Sequence, residues 1–259
     1  MTWARRRLIC ALAAATISAL AGCGPGSPAV APAPAAARPL AEAPGGLRTQ
    51  LPSTAPTSAG RPAVAPGPAF SSSVSAITPA VRARMYSSWR PGCPVPLADL
   101  RYVQVSYWGF DGAVHRGELV VHARAVGAVV PALRSVFAAH FPLAAMRLVD
   151  AHGGPASAAI AEKDTAAFNC RSATGRPGVW SQHSYGLAID INPVQNPYVG
   201  AGGFVAPPGS RPYADRSRQA AGMIKRGDVV VRAFAAVGWS WGGDWVDVKD
   251  YQHFSSTGR

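Results

Sequence analysis

The local fold is decided by one stretch of sequence, S-Q-H-S-Y-G-L-A-I-D at residues 181–190, which runs on into Ile191 and Asn192. From Gly186 onward, apolar residues alternate with small or polar ones. This alternation predicts a strand over 186–192 that buries one face and presents Asp190 to a cleft on the other.

The segment D-Y-Q-H at residues 250–253 supplies a second set of chemically active side chains. Two imidazoles and one carboxylate, from His183, His253 and Asp190, can hold a single Zn²⁺ ion and leave its fourth position open. Asp250 can then act as the base that deprotonates the attacking water, which is the minimum equipment for hydrolysing an amide. An alternative role for Asp250 is to orient His253 from behind.

Three further residues are candidates for contact with a substrate. Arg171 offers a fixed guanidinium that can bind an oxyanion through two donors. Ser181 lies two residues before His183 and can hydrogen-bond a substrate; a Ser-His nucleophile pair is disfavoured because no carboxylate is placed to orient the imidazole. Trp241, in the run G-W-S-W-G-G-D-W at 238–245, can line a cleft, although core packing explains such tryptophans equally well.

The remainder of this region reads as a mixture of strands and helices. Alternating residues predict strands, and apolar spacing with end signals predicts helices. Asp228 has the character of an N-cap and Gly238 that of a stop, although the valines between them would also suit a strand. Without regular alternation of strand and helix, the class is α+β. The predicted strands are Val103–Tyr107, Glu118–His122 and Arg147–Val149, and the predicted helices are Val129–Phe141 and Val229–Val237.

The N-terminal part of the chain has the features of an exported lipoprotein. Arg5–Arg7 precede the apolar run Leu8–Leu20, which is short for a membrane span, and L-A-G-C at 20–23 resembles a lipobox. We therefore expect a signal peptide over 1–22 and lipidation of Cys23, whereas the alternative is an ordinary secreted protein. Residues 23–75, rich in Pro and Ala, predict a disordered tether that would let a domain at 76–259 reach the cell wall from the membrane.

Charge and cysteine content narrow the choice of partners. The formal net charge of +12 favours anionic partners, and for an exported protein these are wall polymers and lipid head groups rather than nucleic acid. A basic composition without function is the alternative. Cys93 and Cys170 form an even pair in an oxidising compartment, so a disulfide between them is expected; two free thiols or zinc ligation are the alternatives.

Several of these motifs together resemble the zinc D-alanyl-D-alanine carboxypeptidase and L-alanyl-D-glutamate endopeptidase family, which cuts peptidoglycan peptides. The resemblance spans roughly Trp89 to Phe254. Its dipeptidase branch carries Glu where Asp250 stands, so D-Y-Q-H is closer to the other two branches. The matching segments are F-N-C-R at 168–171, W-S-Q-H-S-Y-G-L-A-I-D-I-N-P at 180–193, Q-N-P-Y at 195–198 and G-W-S-W-G-G-D-W with D-Y-Q-H-F between 238 and 254.

The resemblance implies a compact α+β domain with a central antiparallel sheet and a few flanking helices. It also implies one Zn²⁺ per domain on His183, Asp190 and His253, a base at Asp250, oxyanion binding by Arg171 and substrate contact by Ser181. Peptidoglycan stem peptides are the implied substrates, and a monomer is expected. Two other hypotheses remain: a non-catalytic zinc-fold module that binds wall peptide or a protein partner, and a structural lipoprotein that links envelope layers.

Overall fold

The computed structural model describes residues 67–152 and 163–259. The predicted signal peptide, Cys23 and residues 24–66 of the predicted tether lie outside the described residues. Within the described ranges, no helix has the length and apolar character needed to cross a membrane.

Short helices and strands alternate irregularly along the chain, which confirms the α+β class. The described helices are α1 (Pro79–Arg84), α2 (Val126–Ala138) and α3 (Val229–Ala235). The strands are β1 (Ser72–Ala76), β2 (Leu100–Gly109), β3 (Val114–His122), β4 (Pro142–Leu143), β5 (Ser172–Ala173), β6 (Arg176–Trp180), β7 (Ala188–Asp190), β8 (Tyr198–Val199), β9 (Val205–Ala206), β10 (Ser240–Trp241), β11 (Lys249–Asp250) and β12 (His253–Ser255).

The largest sheet has β2 at its centre, with β1 and β3 antiparallel and β4 parallel to it. Val103 is the cross-strand partner of Leu119, and both are buried on the face that α2 covers with Leu133 and Val136. This arrangement follows from the predicted alternation, because period-two apolar residues on both strands point to one side.

The first strand starts earlier than composition suggested. Residues 72–76 pair in register with β2 and form part of the sheet, so the folded domain begins before the boundary at 75/76. All five side chains of β1 are exposed, and its attachment is mainly through the main chain, with Ser73 Oγ also bonding Gln104 and Arg116. A serine-rich segment without buried apolar side chains has the same composition as a tether.

One predicted helix is shifted along the chain, and one predicted strand does not form. The helix expected at Val129–Phe141 spans Val126–Ala138 instead, and it ends before His140, whose φ of 54° is left-handed. The strand expected at Arg147–Val149 is absent from the described residues. There the main chain makes only a single bridge, between Met146 and Thr165.

Helix α3 forms where its N-cap signal predicted it. Asp228 Oδ1 accepts hydrogen bonds from the main-chain nitrogens of Val230 and Val231, which satisfies donors that the first helical turn leaves free. Gly238 follows the helix with a φ of 79°. The helix packs against α2 through Phe234, which is fully buried and stacks on Phe254 of β12, 4.5 Å between ring centroids.

A disulfide joins Cys93 to Cys170. It lies in a second, smaller core cluster that includes Val95, Leu100 and Phe168. The bond fixes the segment at 168–171 to the loop before β2, and this segment leads directly into the candidate site.

Candidate metal centre

Two small sheets position most of the candidate site residues. One has the order β10-β12-β7 and the other β11-β8-β9. In the first sheet Asp190 of β7 is the direct cross-strand partner of His253 of β12. Direct partners in an antiparallel pair place their side chains on the same face, so register alone brings these two together.

The strand that carries Asp190 is shorter than predicted. Regular pairing covers Ala188–Asp190 rather than 186–192, and Asn192 adopts a left-handed φ of 47°. Its side chain bonds the main chain of Ala144 and Pro142, which explains why the chain leaves the strand there. Ile189 and Ile191 are nevertheless fully buried, as their spacing predicted.

His183 lies in a 3-10 turn at Gln182–Tyr185 just before this strand. Ser181 caps the turn, since its Oγ accepts a hydrogen bond from the main-chain nitrogen of His183 at 3.3 Å. Gly186 ends the turn with a φ of 65° and packs so closely that an added Cβ would lie 2.5 Å from the main-chain nitrogen of His122. A glycine is therefore required here, and the turn aims His183 at β7.

The three predicted ligands converge. His183 Nε2 lies 3.2 Å from Asp190 Oδ2 and 3.2 Å from His253 Nδ1, and Asp190 Oδ1 lies 3.1 Å from His253 Nδ1. Both histidines are buried, at 4% and 5% exposure. These side chains thus form one compact cluster with their ligand atoms facing a common point.

The geometry of the cluster fits a zinc ion. With metal–ligand distances of about 2.0–2.1 Å, neighbouring ligand atoms around a tetrahedral ion are about 3.3 Å apart, close to the separations above. His183 Nδ1 lies 2.6 Å from the main-chain oxygen of Ala167, to which it can donate its proton. This contact leaves the Nε2 lone pair free for a metal and fixes the ring orientation.

The electrostatics of the cluster also favour a bound cation. Burial alone would raise the pKa of Asp190, but the charge of His183 and hydrogen bonds from both histidines outweigh it, and the pKa is lowered. Burial alone would lower the pKa of His253, but a hydrogen bond to Asp190 and the charges of Asp190 and Asp250 raise it. An ionised Asp190 beside a histidine whose protonated form is favoured indicates a site that stabilises positive charge, and a divalent ion would meet the same demand.

Asp250 lies on β11, beside the cluster but outside it. Its Oδ1 atom is buried and has no hydrogen-bond partner among the described residues. Burial, followed by the negative charge of Asp190, raises the pKa of Asp250 to about 7. A carboxyl group with this pKa can both accept and return a proton near neutral pH.

Arg171 is close enough to Asp250 for its charge to oppose that rise in pKa. Its main-chain nitrogen donates to Ser184 Oγ at 2.9 Å, and its main-chain oxygen accepts from Ser181 at 3.1 Å. The segment after Cys170 is thereby tied to the turn that carries His183. Ser184, which sequence reasoning missed, is fully buried and supplies this link.

The tryptophans divide between core and site. Trp241 is 5% exposed, belongs to the main core cluster and donates its indole N–H to the main-chain oxygen of Tyr251 at 2.8 Å. This position agrees with the packing alternative and does not present Trp241 to a substrate, because its ring is enclosed by the core. Trp245 instead packs beside His253, 5.3 Å between ring centroids.

A buried polar network behind the site was not predicted. Asn196 is fully buried and accepts hydrogen bonds from Ile224 and Arg216. Arg216 also lies over the ring of Tyr251, 4.3 Å from its centroid, and Tyr251 stands between Asp250 and His253 in the chain. The paired Asn-Pro motifs at 192–193 and 196–197 are the sequence signal that could have indicated such a network.

Comparison with known proteins gives one match. Residues 174–256 match a family model described as D-alanyl-D-alanine carboxypeptidase. This range contains His183, Asp190, Asp250 and His253, whereas Arg171 precedes it. Comparisons with curated proteins and with solved structures give no match.

Proposed function

We propose that this chain, whose residues 174–256 match the D-alanyl-D-alanine carboxypeptidase family, is a zinc-dependent peptidase of peptidoglycan stem peptides. The amide it cleaves is of the D-Ala-D-Ala carboxypeptidase or the L-Ala-D-Glu endopeptidase type. One observation carries the proposal: one ligand atom from each of His183, Asp190 and His253 lies within 4.8 Å of the other two, beside a carboxyl group whose pKa is raised to about 7.

His183, Asp190 and His253 would hold the metal. A bound zinc ion supplies a Lewis acid that activates water and polarises the scissile carbonyl. The family's peptidases depend on zinc, and the electrostatic preference of the cluster for positive charge supports the same ion here.

Asp250 would move the proton. In its ionised form it takes a proton from the attacking water, and in its protonated form it gives that proton to the departing amine. A pKa of about 7 suits both halves of this cycle, because the ionised and the protonated forms of Asp250 are both well populated near neutral pH. Arg171, whose charge reaches Asp250, is the candidate for binding the oxygen that becomes negative, with Ser181 beside it as a candidate substrate contact.

Metal removal tests the proposal directly. Protein treated with a chelator should lose cleavage of purified muropeptides and regain it when Zn²⁺ is restored, with fragment masses identifying the bond. Cleavage that persists without metal would contradict a zinc peptidase.

Asp250→Asn tests the proton-transfer role. The variant should keep its metal but lose about a hundredfold to ten-thousandfold in kcat, the usual range for a general base. Asp247→Asn is the matched control, since Asp247 is an exposed aspartate in the loop just before β11. Normal muropeptide affinity with no cleavage by the wild type would favour the non-catalytic binding module instead.

We also propose that the domain acts outside the cytoplasm, anchored to the membrane through lipid on Cys23. The lipobox-like L-A-G-C and the Pro-rich segment that follows it support this location. Cys23→Ser should release the protein from the membrane fraction and abolish fatty-acid labelling. Equal membrane association of both proteins would contradict the anchor.

A further inference from the structure

A pair of aromatic side chains stands next to Asp250 without a part in the chemistry described above. Tyr198 of β8 is the direct cross-strand partner of Asp250 in the sheet β11-β8-β9. Direct partners share a face, so the Tyr198 ring lies on the side of the sheet that carries the Asp250 carboxyl group. The charge of Asp250 also contributes to raising the pKa of Tyr198, after burial, which agrees with their proximity.

Phe204 extends this aromatic surface outward. It lies in the loop between β8 and β9, and its ring meets that of Tyr198 at 6.2 Å between centroids and 64° between planes. Phe204 is 54% exposed, so its ring is accessible to a ligand while it packs on Tyr198.

The hairpin holds both rings in place. Gly200 packs under Tyr198 so closely that an added Cβ would lie 2.9 Å from Tyr198 Cε1. The main-chain nitrogen of Gly200 donates to the oxygen of Phe204 at 2.9 Å, and Arg211 donates to the oxygen of Gly203 at 3.2 Å. The aromatic pair is therefore preorganised, which reduces the entropy cost of binding a ligand.

The angle between the rings indicates what they bind. Flat sugar rings stack on a flat aromatic platform, whereas two rings at 64° form a corner. A corner suits a small aliphatic group, such as the methyl side chain of an alanine, which touches both rings at once.

The position beside Asp250 indicates which part of the substrate is bound. Under the proposed function, on which this inference rests, Asp250 returns its proton to the departing amine. A side chain adjacent to Asp250 therefore faces the residue that leaves. We propose that Tyr198 and Phe204 form a specificity-determining subsite for a small aliphatic side chain on the leaving-group residue of a cell-wall peptide.

The test compares peptides that differ only at the leaving residue, D-Ala against Gly. Wild-type protein should prefer D-Ala by about tenfold in kcat/KM, within the range expected for one methyl group. Phe204→Ala should reduce this preference to about twofold. Tyr198→Phe keeps the corner and should keep the preference.

Tyr86→Ala is the matched control, because Tyr86 is a similarly exposed aromatic, at 53%, outside both site sheets. An undiminished D-Ala preference in Phe204→Ala, or an equal loss in Tyr86→Ala, would overturn the subsite.

Binding separates the failure of this inference from failure of the proposed function. The dissociation constants of both peptides are measured on Asp250→Asn protein, with and without Phe204→Ala. A D-Ala preference in affinity that Phe204→Ala removes supports the subsite even if no peptide is cleaved. Dissociation constants that are the same for both peptides, with or without Phe204→Ala, overturn the subsite even if the protein proves to be a peptidase.

Discussion

At the scale of single residues, the cluster of His183, Asp190 and His253 brings together three polar side chains whose burial is unfavourable. Two imidazoles and a carboxylate are removed from water and face one another at hydrogen-bond distance. Such burial is destabilising unless the charges compensate one another, and Asp190 is the only negative member of the three. The arrangement therefore suits the bound cation that we propose better than it suits stability without one.

Asp190→Asn tests that interpretation. Replacing the carboxylate by an amide should reduce bound zinc from one per protein toward none, because the site loses its charge along with its oxygen ligand. Elemental analysis after gel filtration measures the metal, and circular dichroism checks the fold.

Asp111→Asn is the control for Asp190→Asn. Asp111 also contacts a histidine, His115, but in an exposed pair on the β2–β3 hairpin. Full zinc occupancy in the Asp190→Asn protein would remove Asp190 from the ligand set.

Ser184→Ala tests the link between Arg171 and the His183 turn. The Ser184 hydroxyl lies 2.7 Å from the main-chain oxygen of Arg171 and 3.0 Å from that of Asn169, and it accepts from the Arg171 nitrogen. Its loss removes these side-chain hydrogen bonds, although the main-chain groups keep other partners, and should lower the free energy of unfolding by about 0.5–1.5 kcal/mol. Denaturant unfolding measures this, and the exposed Ser217→Ala should change it far less.

Residue patterns indicated the candidate ligands and the candidate base but not the residues that support them. His183, Asp190, Asp250 and His253 have the side-chain chemistry that a zinc hydrolase uses, so they could be proposed before any fold was known. Ser184, Asn196 and Arg216 bond main-chain atoms of distant segments. No side-chain pattern encodes such contacts, because the partner atoms are the same in every residue.

At the scale of elements, β11 and β12 approach a glycine turn closely enough to constrain it. A Cβ added to Gly242 would lie 2.6 Å from the main-chain oxygen of Asp250, 2.9 Å from its Cβ and 3.2 Å from the Cβ of His253. Gly242 thus permits the base and a ligand to approach the loop that follows β10.

Gly242→Ala should therefore displace Asp250 and His253 and reduce kcat by at least tenfold, since small displacements of catalytic groups are costly. Turnover of muropeptides and bound zinc are the measurements. Gly127→Ala is the control: an added Cβ there has no atom within 4 Å, and the helix α2 should gain up to about 1 kcal/mol. Equal activity of the two variants would show that the close approach does not matter.

Helix α1 is attached to the large sheet by a charged group whose effect depends on pH. Arg84 forms an ion pair with Glu118 of β3, which Tyr102 of β2 also contacts. The Arg84 hydrogen bond holds the pKa of Glu118 below its ordinary value of 4.5. A depressed carboxyl pKa contributes stability that is present above 4.5 and is lost as the pH falls through the lower folded value.

The wild-type protein should therefore have a higher Tm than the Glu118→Gln variant at pH 7. This difference in Tm should shrink as the pH falls below about 4.5. Arg84 is half exposed, so solvent screening keeps the effect small. Thermal melts of both proteins between pH 3 and pH 7 provide the measurement. A difference in Tm that stays constant over this range would contradict the assignment.

Elements were predicted best where a local signal marks both ends. Asp228 and Gly238 delimit α3, and alternation marks β2 and β3, so these were found. β1 pairs with β2 without burying any of its side chains, while the predicted strand at Arg147–Val149 has apolar residues but makes no extended ladder. Whether each of these two segments forms a strand depends on pairing with a distant part of the chain, and a local sequence pattern carries no information about such pairing.

At the scale of the whole domain, two clusters of buried side chains divide the described chain. The main cluster joins the large sheet, α2, α3 and the strands of the site, whereas the smaller one joins α1, Phe168 and the disulfide. The family match begins at residue 174, after the smaller cluster. The part of the domain that precedes the match therefore supports Arg171 from outside the matched region.

Opening the disulfide should show how much the smaller core cluster contributes to stability and to the position of Arg171. The Cys93–Cys170 bond closes a loop of 77 residues, and loops of this length typically contribute about 2–4 kcal/mol to the free energy of unfolding. Replacing both cysteines by serine should lower stability by that amount and lower kcat, because Arg171 follows Cys170 directly, while bound zinc should stay near one per protein. Denaturant unfolding, turnover and elemental analysis give the three values. Added reductant should reproduce the loss in wild-type protein and leave the double variant unchanged; zinc lost in proportion to stability would instead show that the two clusters unfold as one unit.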